Sequence, residues 1–189
     1  MPSHITVGVL LAAGSGQRFD PTGASNKLTR PLANGVPIAV QAALTMRSEL
    51  TRVVAVVRDP ELASQLRASG CDAYVFPDAL QGMGASLAYA MHFVHSAHAV
   101  MVGLADMPFI AASTIAQITQ ALSAGADIVQ PYFEGQPGHP VGFTQRHFNA
   151  LMGLSGDVGA RELLRQFPVH RIAVDDAGIV RDIDFLTDL

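Results

Sequence analysis

The sequence predicts an α/β fold: a mostly parallel sheet with helices on both faces and an irregular C-terminal third. Three observations predict it. Short runs of β-branched and aliphatic residues alternate with helix-length stretches through the first two thirds of the 189 residues. The first run, residues 5–12, is almost free of polar side chains, as a strand covered on both faces requires. Gly, Pro and Asp punctuate the runs, so each reads as a separate element. Strands that alternate with helices build a parallel sheet flanked by helices.

The elements follow in order. Residues 5–12 are a strand, and 37–49 a helix with Pro37 near its first turn. Residues 53–57 return to strand, 61–69 to helix, and Gly70 stands where a C-terminal stop is expected. A short strand at 73–76, a helix at 85–96 and a strand at 99–104 come next. Residues 113–124 read as a helix capped by Ser113, and 128–133 as a strand. After Tyr132 the pattern changes. Glu134, Gly135, Pro137, Gly138 and Pro140 make a turn-rich loop that leads into a strand at 141–144. Helical stretches at 147–152 and 160–166, the second with Asp157 placed to cap it, precede a strand at 171–174. No repeat, low-complexity tract or flexible linker divides the chain, which reads as a single domain spanning residues 1–189.

A hydrophobic content of 49% is enough for a real core at this length. Twelve Lys and Arg against sixteen Asp and Glu give a net charge of −4, which argues against a nucleic-acid partner. The single cysteine, Cys71, excludes an internal disulfide and a multi-cysteine metal site, and suits a reducing cytoplasm. The N-terminal apolar run is too short to span a bilayer and has no preceding Lys or Arg. A soluble, cytoplasmic protein without a membrane partner is therefore expected.

In parallel sheets ligands gather beyond the carboxyl ends of the strands, which directs attention to residues 13–27, 77–86 and 105–108. Leu11, Ala12, Ala13, Gly14, Ser15 and Gly16 follow the first strand directly. Their small side chains let backbone N–H groups face one concavity, a cradle for phosphate oxygens, although a plain strand-to-loop turn would look similar. Arg18 offers a fork for phosphate and Lys27 a compact positive charge. A dinucleotide fingerprint fits poorly, because its third small residue would fall on Phe19 and Arg58 precedes Asp59 at the end of the second strand. No Gly-Lys-Ser/Thr occurs, which excludes a Walker loop.

Asp106 closes the buried run 99–104 and precedes Met107-Pro108. It reads either as a magnesium ligand or as a turn-capping residue. Asp182 and Asp184 lie on an expected strand, and only one of them is expected to face a metal. His139, between Gly138 and Pro140, either contacts a substrate or orders its loop. His92, His95 and His98 are spaced as a helix face rather than as a metal site. Met83 and Met91 read as packing residues.

Taken together, LLAAGSGQRF at 10–19, NKL at 26–28, PDALQGMGASL at 77–87, LADMPFI at 104–110, PGHPVGF at 137–143, SGDVGARELL at 155–164 and DIDFLTDL at 182–189 resemble the molybdenum cofactor cytidylyltransferase family. The resemblance covers nearly the whole chain. It implies a three-layer Rossmann-like nucleotidyltransferase fold and a magnesium-dependent enzyme. That enzyme would transfer CMP from CTP to the terminal phosphate of molybdenum-bearing molybdopterin and release pyrophosphate. Ala12, Ala13 and Gly14 would meet the nucleotide, Arg18 and Lys27 the triphosphate, and Asp106 and Asp184 the magnesium. Pro77, Asp78 and the segment from Gly82 to Ser86 would meet base and ribose, and His139 the pterin. A second glycine is usual at position 13 in the guanylyl relatives, so Ala13 points to CTP. The chain departs from the family in the longer stretch 20–25, in Arg30 and in Leu186. A molybdenum hydroxylase apoenzyme is the implied partner. Two alternatives keep parts of this reading: transfer to a sugar or alditol phosphate, and a carrier that delivers finished cofactor to that hydroxylase.

Overall fold

A computed structural model describes residues 5–14, 26–157 and 159–188, with the side chains of Leu80 and Leu186 left aside. In chain order the elements are Thr6–Ala12 (β1), Ile38–Glu49 (α1), Val53–Val57 (β2), Pro60–Ala68 (α2), Asp72–Val75 (β3), Met83–Met91 (α3) and Ala99–Leu104 (β4). They continue with Ala112–Ser123 (α4), Ile128–Phe133 (β5), Gln136–Pro137 (β6), Val141–Thr144 (β7), Phe148–Met152 (α5), Arg161–Gln166 (α6) and His170–Ala173 (β8).

The predicted α/β architecture holds. β3, β2, β1 and β4 lie side by side in parallel. β7 runs antiparallel between β4 and β5, and β8 adds to β5 in parallel. β6 and β7 pair antiparallel with different stretches of β5, Tyr132↔Pro137 and Val129↔Gly142. Both oppose β8, so they are two parts of one strand interrupted by Gly138, His139 and Pro140. Such a bulge re-aims side chains at a sheet's rim, and here it carries His139 toward the end of β4.

Alternation along the strands sorts the core into two layers. Leu10, Ala55 and Met101 face α1, α2 and α4, meeting Met46, Leu66 and Ile118. Val9, Leu11, Val100 and Phe143 face the other side, against Leu87, Met91, Leu151 and Leu163. Among the described residues no helix is long and apolar enough to cross a membrane.

Four local expectations need correction. α3 ends at Met91, not at residue 96, because the His92 ring nitrogen lies 3.1 Å from the Ala88 carbonyl, the acceptor the backbone N–H of His92 would need to continue the helix. The N-cap of α4 is Ala111 rather than Ser113, and the capping acceptor is the distant Asp176 carboxylate. The N-cap of α6 is Ala160 and uses no side chain, so Asp157 lies in the preceding loop. Residues 181–184 form no strand: a 3-10 turn at Ala177–Val180 is followed by irregular chain.

Candidate active site

The parallel strands β1 and β4 end together, since Leu11 pairs with Leu104 and the Ala105 N–H donates to the Leu11 carbonyl at 3.0 Å. Asp106 follows at once, half-buried between the buried Ala105 and Met107. Lys27 begins a 3-10 turn, Lys27–Thr29, whose start is fixed by the Asn26 side chain accepting from the Leu28 N–H at 3.0 Å. Asn26 in turn donates to the Asp59 carboxylate at 3.3 Å, tying the turn to the N-cap of α2.

Lys27 thus arrives with its side chain only 10% exposed and its ammonium directed into the carboxylates. Nζ donates to Asp106 Oδ2 at 2.8 Å, to the Ile183 carbonyl at 2.8 Å and to Asp184 Oδ1 at 3.3 Å. Three donors meet three acceptors. Burial works against the positive charge, but the attraction and hydrogen bonds of Asp106 and Asp184 outweigh it and hold the pKa above the usual lysine value.

Asp182 and Asp184 both reach this point, which corrects the expectation that only one would: residues two apart project to the same face of an extended chain. Carboxylate oxygens of Asp106, Asp182 and Asp184 lie within 4.8 Å of one another. The cause is Ile183, which is fully buried, donates its N–H to the Asp106 carbonyl at 2.9 Å and gives its own carbonyl to Lys27. With Ile183 pinned and its side chain buried, the carboxylates on either side of it come out together beside Asp106.

His139 stands on the bulge beside this cluster. Its backbone N–H donates to the Ile179 carbonyl at 3.0 Å, and Gly138 packs so tightly on Ile179 that a Cβ would meet that carbonyl. Burial lowers the pKa of its imidazole, against smaller raising effects of a Val102 backbone hydrogen bond and of Asp106 and Asp182. Its Nδ1 is buried without a hydrogen-bond partner among the described residues. The one N–H of the neutral ring is spent on the Val102 backbone, so Nδ1 is left as a free acceptor.

Of the residues expected to meet the nucleotide, Leu11, Ala12 and Ala13 are buried and can offer only backbone, while Gly14 is exposed, and among the described residues nothing lies within 4 Å of where its Cβ would stand. Pro77 and Asp78 are exposed. Gly82 has φ +106° and backs onto Gly156, where a Cβ would strike the backbone. The Gly84 N–H bonds the Gly156 carbonyl at 2.8 Å, so the segments at 82–86 and 155–157 form one wall. Ser86 is buried and its hydroxyl donates back to the Gly82 carbonyl at 3.2 Å. Ser15, Gly16 and Arg18 lie outside the described residues.

Sequence reasoning passed over Asp176. This buried carboxylate accepts from the Ala111 N–H at 2.9 Å, Thr114 Oγ1 at 2.6 Å and the Gly178 N–H at 2.9 Å. It joins α4 to the turn behind the His139 loop. Only the Asp-Ala-Gly turn signature at 176–178 hinted at it.

The chain is 28% identical to the purine catabolism protein PucB of Bacillus subtilis (strain 168) over 198 residues, covering 97% of this chain and 94% of PucB. The crystal structure of Rv0371c from Mycobacterium tuberculosis H37Rv is 27% identical and superposes with a TM-score of 0.83, covering 100% of this chain and 96% of that one. Its manganese complex is 26% identical and superposes at 0.77, covering 97% and 95%. The MobA-like NTP transferase domain matches residues 8–172, from the strand that leads into the glycine segment to β8. By that match the chain belongs to the MobA-like NTP transferase domain family, and it is a nucleotidyltransferase.

Proposed function

We propose that this enzyme transfers CMP from CTP to the terminal phosphate of molybdenum-bearing molybdopterin, with release of pyrophosphate, and that the product serves a molybdenum hydroxylase in the cytoplasm. The observation that carries the reading is the convergence of Lys27 with Asp106, Asp182 and Asp184 beyond the ends of β1 and β4.

The donor set fits a divalent cation. All three side chains offer hard oxygens, and magnesium takes one or two carboxylates together with phosphate oxygens and water. Asp106 and Asp184 would hold the ion, with Asp182 at the exposed side. A bound magnesium or manganese ion would neutralise charge on the triphosphate oxygens.

An oxygen of the acceptor phosphate attacks the α-phosphorus; that P–O bond forms while the bond to pyrophosphate breaks. Because the acceptor is already anionic, the site needs alignment and positive charge more than a general base. Lys27 supplies the charge, and its position among the carboxylates means that it and a metal draw on the same oxygens. Arg18 joins it on the triphosphate by the sequence resemblance. The backbone of 12–14 receives the nucleotide, where the methyl group of Ala13 favours the smaller pyrimidine. Pro77, Asp78 and Gly82 stand on the side assigned to base and ribose. His139 faces the acceptor, with Nδ1 available to accept from a pterin N–H.

Pyrophosphate release with CTP, GTP and ATP, each with and without molybdopterin cofactor, tests the assignment. Release only with CTP plus cofactor is expected. Release with CTP and a sugar phosphate instead would move the acceptor, and cofactor binding without any release would indicate a carrier.

A further inference from the structure

We propose that Asp188 is a positioning residue that sets the metal ligand Asp184; this rests on the carboxylate cluster being a metal site as argued above. A single oxygen of Asp188, Oδ2, accepts from the Asp184 N–H at 2.9 Å and from the Phe185 N–H at 2.7 Å. The backbone N–H of Asp188 donates to the Phe185 carbonyl at 3.0 Å, closing a compact turn over 185–188. The turn is tethered in its own right. Arg181 Nη2 donates to the Asp188 carbonyl at 3.4 Å, and the Arg181 guanidinium lies over the Phe109 ring at 4.0 Å. Phe109 belongs to the segment that carries Asp106.

The consequence is local and geometric. Upstream, Ile183 is held through both its N–H and its carbonyl. Downstream nothing regular continues the chain, since 181–184 is irregular and only a 3-10 turn follows. The peptide that bears Asp184 would otherwise rotate about its N–Cα bond and carry the carboxylate away from Asp106. The Asp188 oxygen fixes that peptide from the far side, so Asp184 is bracketed between Ile183 and Asp188. Groups that orient a metal-binding carboxylate commonly change metal affinity by about 10- to 100-fold when removed.

The test is a titration of the metal-free, full-length chain with Mn²⁺ alone, reading free manganese by electron paramagnetic resonance and the folded state by thermal unfolding. Asp188→Ala is expected to bind Mn²⁺ about tenfold more weakly than wild type with an unchanged unfolding midpoint. Asp188→Asn, which keeps an acceptor oxygen without the charge, is expected to bind like wild type. Asp188→Glu keeps the charge but moves the oxygen by one methylene, and is expected to weaken binding even if the Ala variant does not fold. Wild-type affinity in the Ala and Glu variants, with binding lost in Asp106→Ala, would overturn the positioning role alone. A loss in Asp188→Asn as large as in Asp188→Ala would also overturn it, by assigning the effect to charge. A wild-type chain that takes up no Mn²⁺ would overturn the metal site and this inference with it.

Discussion

The proposed function gives Lys27 two duties that conflict. Its ammonium satisfies Asp106, Asp184 and the Ile183 carbonyl, which makes the acidic cluster tolerable in a half-buried site. Under the proposed function the same ammonium is a positive charge meant for the triphosphate. Substrate and cation must therefore draw it off the carboxylates before it can serve the phosphates. Lys27→Met is predicted to lower transfer by about a hundredfold, because transition-state charge loses a partner. The same variant should bind Mn²⁺ several times more tightly, since a competing cation has gone. Manganese titration beside steady-state turnover checks both arms, and weaker Mn²⁺ binding by the variant would refute the competition.

At the scale of elements, the side of the site that carries His139 is held by segments that pack on one another rather than by a strand. Gly178 meets the Phe109 backbone so closely that a Cβ would overlap its carbonyl, and Gly138 meets Ile179 in the same way. Asp176 fastens this stack to the N-terminus of α4 through three hydrogen bonds. Asp176→Ala would leave two backbone N–H groups and a hydroxyl in the interior without their acceptor. It is predicted to cost about 2–4 kcal/mol, measurable by urea unfolding. A change below about 0.5 kcal/mol would show that the carboxylate is not needed.

These elements also show what the sequence could reveal. β1, β2, β4 and β5 were legible because both their faces are covered, which demands uninterrupted Val, Leu, Ile and Ala. Lys27 and Asp106 were legible because each follows a feature with a local signature, the glycine segment and the end of a buried strand. The convergence of Asp182 and Asp184 was not. Period two puts residues i and i+2 on one face, so the pair belongs together on an extended chain. What was hidden is the anchor that aims both at Asp106: Ile183, pinned by groups 77 and 156 positions away, Asp106 and Lys27. Asp176 was hidden for the same reason, its partners Ala111 and Thr114 lying 65 and 62 residues upstream. Ser113 had the composition of a cap, but the helix begins one residue earlier and takes its acceptor from Asp176.

For the whole molecule, two histidines link stability to pH. His147 is buried, with its ring edge-on to Phe143 and Phe167, and its Nε2 has no partner among the described residues. Burial lowers its pKa below the usual 6.5, and burial does the same to His139. The folded state therefore refuses protons that the unfolded chain accepts. The stabilising contribution is complete above the unfolded value near pH 6.5 and is lost as the pH falls toward the folded values. Stability should decline below about pH 6.5, with a slope of at most about 1.4 kcal/mol per pH unit for each histidine. Urea unfolding at pH 7.5 and 5.5 measures the decline, and His147→Leu should reduce it. An unchanged slope in that variant would assign the effect elsewhere.

The central claim is that Asp106 helps a nucleotidyltransferase move the α-phosphoryl group of CTP onto the phosphate of a molybdopterin. Incubating the chain with CTP labelled at the α-phosphorus, magnesium and molybdenum-bearing molybdopterin, and following the label, tests it most directly. The label should pass to the cofactor in the wild type, and transfer should fall by at least about a hundredfold in a folded Asp106→Ala variant. Label that stays in CTP with the wild type, or that moves equally well with Asp106→Ala, would contradict the account.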